Sequence, residues 1–168
     1  MKQTNVPNFF SLEWMTKINA IDSIWFPKKK LIETKISGLV KEKDIIIWKD
    51  SLIAVLNKLE DGEVFKIFIN TYGLETENLI TQKAYRSIIP LMISNFGWKV
   101  GYTMLYEHQE SLLSIQNIRG IQCKAAAHLH HDKIKMDYFD KKFGNNRERF
   151  FSNPKSAEHW IDNVEITL

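Results

Sequence analysis

Residues 64–69, VFKIFI, form a short, nearly continuous run of β-branched and aromatic residues. Such a run reads as a strand covered on both faces, because neither of its sides is polar enough to face water. Its neighbours supply the cover. Upstream, KDIIIWKDSLIAVLNKLEDGE carries Ile45, Trp48, Leu52, Val55, Leu56 and Leu59 at helical spacing and stops at Asp61-Gly62. Downstream, TENLITQKAYRSIIPLMISNFG reads as a long helix that Pro90 must kink or divide.

The same alternation continues along the chain. KLIETKISG alternates apolar and polar residues, as an edge or half-exposed strand does. WKVGYTMLY reads as a strand, EHQESLLSIQN as a helix, and IQCKAAAHLHH as the next strand. In DKIKMDYFDKKFG, Asp132 is placed to cap a helix, Ile134, Tyr138 and Phe139 to face inward, and Gly144 to close it. RERFF is a final short strand, and NPKSAEHWIDNV a helix with Asn153 as N-cap and Pro154 at its first position. The reading is an α/β fold with a mixed or mostly parallel sheet of four or five strands and crossover helices mainly on one face. Trp48, Phe68, Ile89, Phe139 and Trp160 are the expected buried markers.

The first thirty residues fall outside this rhythm. SLEWMTKINAID has Leu12, Met15, Ile18 and Ile21 at helical spacing, and IWFPKKK then reads as a linker to a domain over 31–168. Trp14, Trp25 and Phe26 also fit a partner-binding or membrane-surface segment, but aromatics sit in cores more often, which favours a packed extension. With 168 residues, 44% hydrophobic and 26% charged, the chain suits one globular domain rather than a disordered one. Cys123 is the lone cysteine, the start of the chain has no apolar signal-like run, and no apolar stretch nears the roughly 20 residues of a membrane helix. These features point to a cytoplasmic protein. The net charge of +3 makes no case for nucleic acid, and the runs Lys28–Lys30 and Lys133–Lys142 read as solvated basic faces.

The strand ETKISGLVKEKDIIIW, the strand VFKIFINTYGLE and the closing RERFFSNPKSAEHWI together resemble the SpoIIAA-like family of STAS-type domains, related in shape to CRAL-TRIO lipid-binding proteins. Chains of that family typically end in a short aromatic strand, a turn, and a helix with an Ala and a Trp-hydrophobic pair; Phe150, Phe151, Ala157, Trp160 and Ile161 fit. The resemblance covers roughly residues 31–164 and implies a non-enzymatic binding or regulatory module. STAS proteins that antagonise anti-sigma factors carry an Asp-Ser-Ser-Gly-like phosphorylation site after the central strand. Here that region runs from Asn70 to Thr76 without the serine; modification of Thr71 or Thr76 is one reading, and nothing in the sequence favours it over a plain turn and N-cap. A second departure is WKVGYTMLYEHQESLLSIQNIRGIQ, which adds a strand and a helix to the usual set.

Candidate chemistry concentrates in AAAHLHHD, residues 125–132. On an extended strand His128 and His130 share one face at a spacing of roughly 6.6–6.8 Å. Asp132 continues a His-x-His-x-Asp register of the kind used by metal-dependent hydrolases, although Lys133 stands where a further His usually follows. The zinc reading (His128, His130, Asp132) competes with a plainer one, in which Asp132 caps the helix and the imidazoles stay neutral beside its N-terminus. The stretch ends a strand, where open α/β sheets bind ligands. Trp98, Tyr102, Met104 and Tyr106 alternate along their expected strand, and the alanines leave room beside it, which suggests an apolar ligand pocket. The alternative is that the alanines let a helix pack closely.

Nucleophilic catalysis has little support. Cys123 lies on the opposite strand face from His128 unless a bulge intervenes, and no G-x-S-x-G is present. Glu107-His108 and Glu158-His159 read as exposed helix residues. The leading expectation is therefore a binding module whose partner is a protein or a small apolar ligand, with His128, His130, Tyr102 and Tyr106 as ligand-binding residues. A zinc-dependent hydrolase is the alternative, and nucleic-acid binding through Lys133–Arg149 ranks below both.

Overall fold

A computed structural model describes residues 20–105 and 114–167. Its elements are β1 (Ile21–Phe26), β2 (Leu31–Ile36), β3 (Gly38–Val40), α1 (Glu42–Leu56), β4 (Val64–Asn70), β5 (Leu74–Thr76) and α2 (Leu79–Ser94), followed by β6 (Gln122–Leu129), α3 (Lys133–Phe143), β7 (Glu148–Phe151) and α4 (Pro154–Asn163). Among the described residues one five-stranded sheet has the order β1-β2-β4-β6-β7, and β3 pairs with β5 separately. β1 is antiparallel to β2; every later pairing in the main sheet is parallel. The fold is α/β with a mostly parallel mixed sheet.

β4 is the centre of this sheet, with every residue from Val64 to Ile69 buried. Phe65, Ile67 and Ile69 join Ile32, Ile36, Trp48, Leu52 and Ile93 in the larger core. Phe68 points the other way, to Leu31, Ala127, Leu129, Ala157 and Ile161. The polar member of the run, Lys66, is only 5% exposed. Its Nζ donates to the Asp162 carbonyl at the end of α4 (3.2 Å), where the helix dipole is negative. Burial holds its ammonium below the usual lysine range.

Strands β2, β4, β6 and β7 are added in one direction. Crossovers of constant hand then place the intervening helices on one face. α1 and α2 cover the core around Trp48, and Met136 and Phe139 of α3 pack with Phe150 on the same side. α4 follows the last strand, is bound by no crossover, and closes the opposite face through Ala157 and Ile161. Of the markers, Trp48, Phe68, Ile89 and Phe139 are buried and Trp160 half-buried.

Several elements differ from the sequence reading. The segment expected to be a linker, IWFPKKK, instead ends β1 and forms a single 3₁₀ turn at Pro27–Lys29, so the sheet begins at Ile21 rather than at residue 31. The cause is a period of two: Ile21 and Trp25 pack on the core, while Asp22 and Ile24 are exposed. Leu12, Trp14, Met15 and Ile18 of the expected N-terminal helix lie outside the described residues. β2 is an interior strand; its polar alternates Glu33 and Lys35 lie on the face that α4 covers only in part.

Over its described residues, 98–105, the strand expected at WKVGYTMLY does not form. β6 already has β4 and β7 on its two sides, so no edge is vacant there. Residues Gly101–Leu105 adopt a 3₁₀ turn instead, with the Thr103 hydroxyl donating to the Val100 carbonyl at 2.6 Å. The following expected helix falls largely on residues outside those described. α2 runs undivided through Pro90, and its N-cap is Asn78, which accepts from the Thr81 amide at 2.9 Å. Thr76, read as a cap, ends β5. In α3, Ile134 is 85% and Tyr138 49% exposed, contrary to expectation. The inward row is Met136, Phe139 and Phe143, an i, i+3, i+7 series that excludes both.

Candidate functional site

The alanines of AAAHLHHD serve packing. Ala125, Ala126 and Ala127 are fully buried; Ala126 faces the core under α1 and α2, and Ala127 meets Ala157 and Ile161 of α4. Small side chains here allow α4 to approach the sheet, and none of the three lines the cleft described below.

His128 is next on the inner face and is 6% exposed. Its ring lies flat on Phe150, its register neighbour on β7, with centroids 4.5 Å apart and planes 8° apart. Its Nε2 is 2.8 Å from Oε1 of Glu148, a residue 2% exposed. The second carboxylate oxygen, Oε2, accepts from the Gly101 amide at 3.1 Å. Gly101 comes so close to α3 that a Cβ would lie 2.7 Å from Cβ of Phe143. One buried carboxylate thus ties β6 to the 101–105 turn. The turn sets Tyr102 against His128 (5.7 Å between centroids) and stacked on Phe139 (5.6 Å, 22°).

Beyond these rings, at the carboxyl ends of β4 and β6, a cleft opens between the sheet, α2 and α3. Its cavity is about 40 Å³, within about 510 Å³ of atom-free space that includes open solvent. His128, His130 and Tyr102 all line it, so the structure brings together three of the four residues read as ligand-binding. The fourth, Tyr106, is outside the described residues, as are Glu107 and His108. Trp98 packs against the core, and Met104 is 61% exposed.

Each histidine of the stretch has an assigned task. Nδ1 of His130 accepts from the Asp132 amide (3.0 Å), and Nδ1 of His131 accepts from the Gly73 amide (3.1 Å). Burial, reinforced by Lys135 and His131, lowers the His130 pKa to about 4, which leaves the imidazole neutral. Asp132 caps α3, its Oδ1 accepting from the Lys135 amide at 3.0 Å. That bond holds its carboxyl below the ordinary range. A carboxylate facing helix amides is turned from a His-bound ion. Among the described residues no group of three His, Cys, Asp or Glu side chains is arranged to hold a metal. His128, His130 and Asp132 therefore do not fit zinc.

Cys123 corrects one premise. A bulge in β6, between the partners of Phe65 and Lys66, adds one residue and returns Cys123 to the same face as Ala126 and His128. Its thiol is nonetheless buried, donates to the Ala125 carbonyl at 3.6 Å, and is pushed well above the ordinary thiol range by burial. A thiol that stays protonated is inert as a nucleophile. Glu158 and His159 are exposed on α4, as expected. Thr71 is buried, with Oγ1 donating to the Leu129 carbonyl at 2.8 Å.

Sequence reasoning missed the helix-borne half of the cleft: Tyr85, Arg86 and Ile89 from α2, and Lys135, Met136 and Phe139 from α3. A signal existed for both cations. Arg86 is in register with the buried Ile89 and Ile93, and Lys135 with Phe139, so each charge sits on an apolar helix stripe. This chain matches no family model, no curated protein and no solved structure.

Proposed function

We propose that this protein is a non-enzymatic binding module of STAS-like type whose ligand is a small molecule with an apolar body, seated in the cleft between the sheet's carboxyl edge, α2 and α3. The observation that carries the reading is the wall of the cleft. Tyr102, Phe139 and Phe150 form one connected set of rings, and His128 presents its ring to the set while its nitrogen is committed to Glu148. A histidine held in this way serves as a flat, partly apolar surface, and the position beyond the strand ends is where sheets of this class take ligands. The closing strand and helix support the family resemblance: Phe151 packs on Trp160 (5.9 Å between centroids), and Ala157 and Ile161 are the buried residues of α4.

The neutral fluorophore N-phenyl-1-naphthylamine tests this. Its fluorescence is expected to rise saturably at one equivalent with the intact chain and to lose most of that rise in His130→Trp, which fills the mouth of the cleft. No saturable rise, or an equal rise in the variant, would overturn the reading.

A further inference from the structure

We propose that Lys135 is a nucleophilic amine and that the ligand of this cleft is an apolar aldehyde, held reversibly as an imine on its Nζ. The inference rests on the cleft being a binding site and adds the chemistry of what binds and the atom that takes it. Lys135 stands on the first turn of α3, and its half-buried side chain lines the cleft with Tyr102, His130 and Phe139. Its Nζ lies 5.7 Å from the centroid of the Phe139 ring. Among the described residues this Nζ makes no hydrogen bond and no ion pair.

Other lysines have polar partners. Lys133, two residues earlier, is exposed and pairs with Asp137. Lys142 donates to the Tyr138 hydroxyl at 3.0 Å. Lys66, also buried, donates to the Asp162 carbonyl on the α4 side of the sheet, away from the cleft. Lys135 differs from all three in facing an aromatic cleft wall with its nitrogen uncommitted.

Burial is the leading cause that lowers the Lys135 pKa, the charge of Arg86 adds to it, and Asp132 opposes both. The Asp132 carboxylate is itself occupied with the Lys135 backbone amide at the start of α3. The Phe139 face favours the ammonium, but a phenyl ring at this distance holds a cation weakly. A lysine desolvated against an apolar wall exposes its lone pair more readily than one in water, and carbonyl chemistry uses lysines of this kind.

The step is a condensation without change of oxidation state. The Nζ lone pair attacks the carbonyl carbon and forms a C–N bond. The two N–H protons pass to the carbonyl oxygen, which leaves as water, and a C=N bond remains. The stacked rings of Tyr102 and Phe139 beside the amine suit a flat, apolar body on the aldehyde.

2-Naphthaldehyde with sodium cyanoborohydride, which reduces an imine to a stable secondary amine, tests this on the full chain at neutral pH. Peptide mapping is expected to show Lys135 labelled at least about tenfold faster than Lys133 or any other lysine, a small part of what proximity in a bound complex can add. Saturating N-phenyl-1-naphthylamine should abolish that preference. Lys135→Arg, with an unchanged melting temperature, should lose the fast adduct while slow labelling of surface lysines continues. Equal labelling of Lys133 and Lys135 in a chain that still binds the fluorophore would overturn the imine and leave the cleft as an apolar site. A fast Lys135 adduct that the fluorophore fails to suppress would also overturn it, because the aldehyde would then not be held in the cleft. Equal labelling together with no saturable fluorophore binding would remove the cleft reading as well.

Discussion

The two ends of the sheet each bury a flat ring with one polar nitrogen, and they use it differently. Under α1, Trp48 is enclosed on all sides, and its Nε1 donates to Oγ1 of Thr34 at 2.8 Å. Thr34 in turn meets Ser23, and Ser23 meets Ser51, each at 2.8 Å, so a short hydroxyl chain runs from the buried indole out to two half-buried serines. Near α3, His128 has its nitrogen satisfied equally well by Glu148, yet its ring faces a cleft with two cations on the wall. Satisfaction of a buried polar atom therefore does not separate scaffold from site. What separates them is whether packing closes over the ring.

The largest expected effect lies at the closed end. Trp48→Ala should destabilise the fold by about 3–5 kcal/mol, the usual cost of deleting a fully buried large aromatic, read from urea denaturation. It should leave the affinity for any cleft ligand unchanged in the fraction that stays folded. A loss below about 1 kcal/mol would contradict the enclosed packing around Trp48.

At the open end, Glu148→Ala should cost about 1–3 kcal/mol, since it strands the Gly101 amide and the buried imidazole. Removing His128 as well should add less than the sum of the two single changes, because each deletion already breaks the same bond. Strict additivity in this double-mutant cycle would show that the pair does not act as a unit. Unlike Trp48→Ala, Glu148→Ala should also weaken probe binding, by freeing the turn that holds Tyr102.

A pH effect of smaller size distinguishes the ends further. Burial works against ionised Asp140, but the Arg149 fork (2.8 and 2.9 Å) and the Phe150 amide (3.0 Å) outweigh it and hold the carboxyl below its usual range. A depressed folded pKa gives stability that is present above the unfolded value and lost as pH falls through the folded one. Asp140→Asn should thus be less stable than the parent at neutral pH, and the gap should narrow as pH drops below about 4. A gap that stays constant through this range in paired acid titrations of stability would refute the assignment.

A second pH effect belongs to His130. Its folded pKa of about 4 lies below that of a free imidazole, so the unfolded chain binds more protons between these values. The neutral imidazole's contribution is present above about pH 6.5 and is lost as the pH falls toward 4. In ¹⁵N side-chain spectra His130 should remain neutral with its proton on Nε2 at pH 6, because Nδ1 accepts the Asp132 amide. A charged His130 at pH 6 would contradict its desolvation.

Legibility in the sequence followed locality. VFKIFI declared a strand covered on both faces because its composition leaves no side for water, and Asp132 and Asn153 declared their caps because capping needs only three residues of context. IWF in β1 was obscured because Leu12, Met15, Ile18 and Ile21 offered a competing helical spacing that ran into it. WKVGYTMLY has the alternation of a strand, but the place beside β6 is taken by β4 and β7, a fact known only once the sheet order is known. His128, His130 and Tyr102 were readable as one candidate site, whereas Arg86 and Lys135 were not, since each belongs to a different helix and only the tertiary fold sets them on one cleft. No helix among the described residues is long and apolar enough to cross a membrane.

The central claim is that the open end binds and the closed end does not. The direct measurement is an amide-shift map of the full chain titrated with N-phenyl-1-naphthylamine. The account predicts saturable shifts at Tyr102, His130, Lys135 and Phe139, with the amides of Thr34, Trp48 and Leu52 unmoved. Shifts centred on α1, or none at the cleft at saturating probe, would contradict it.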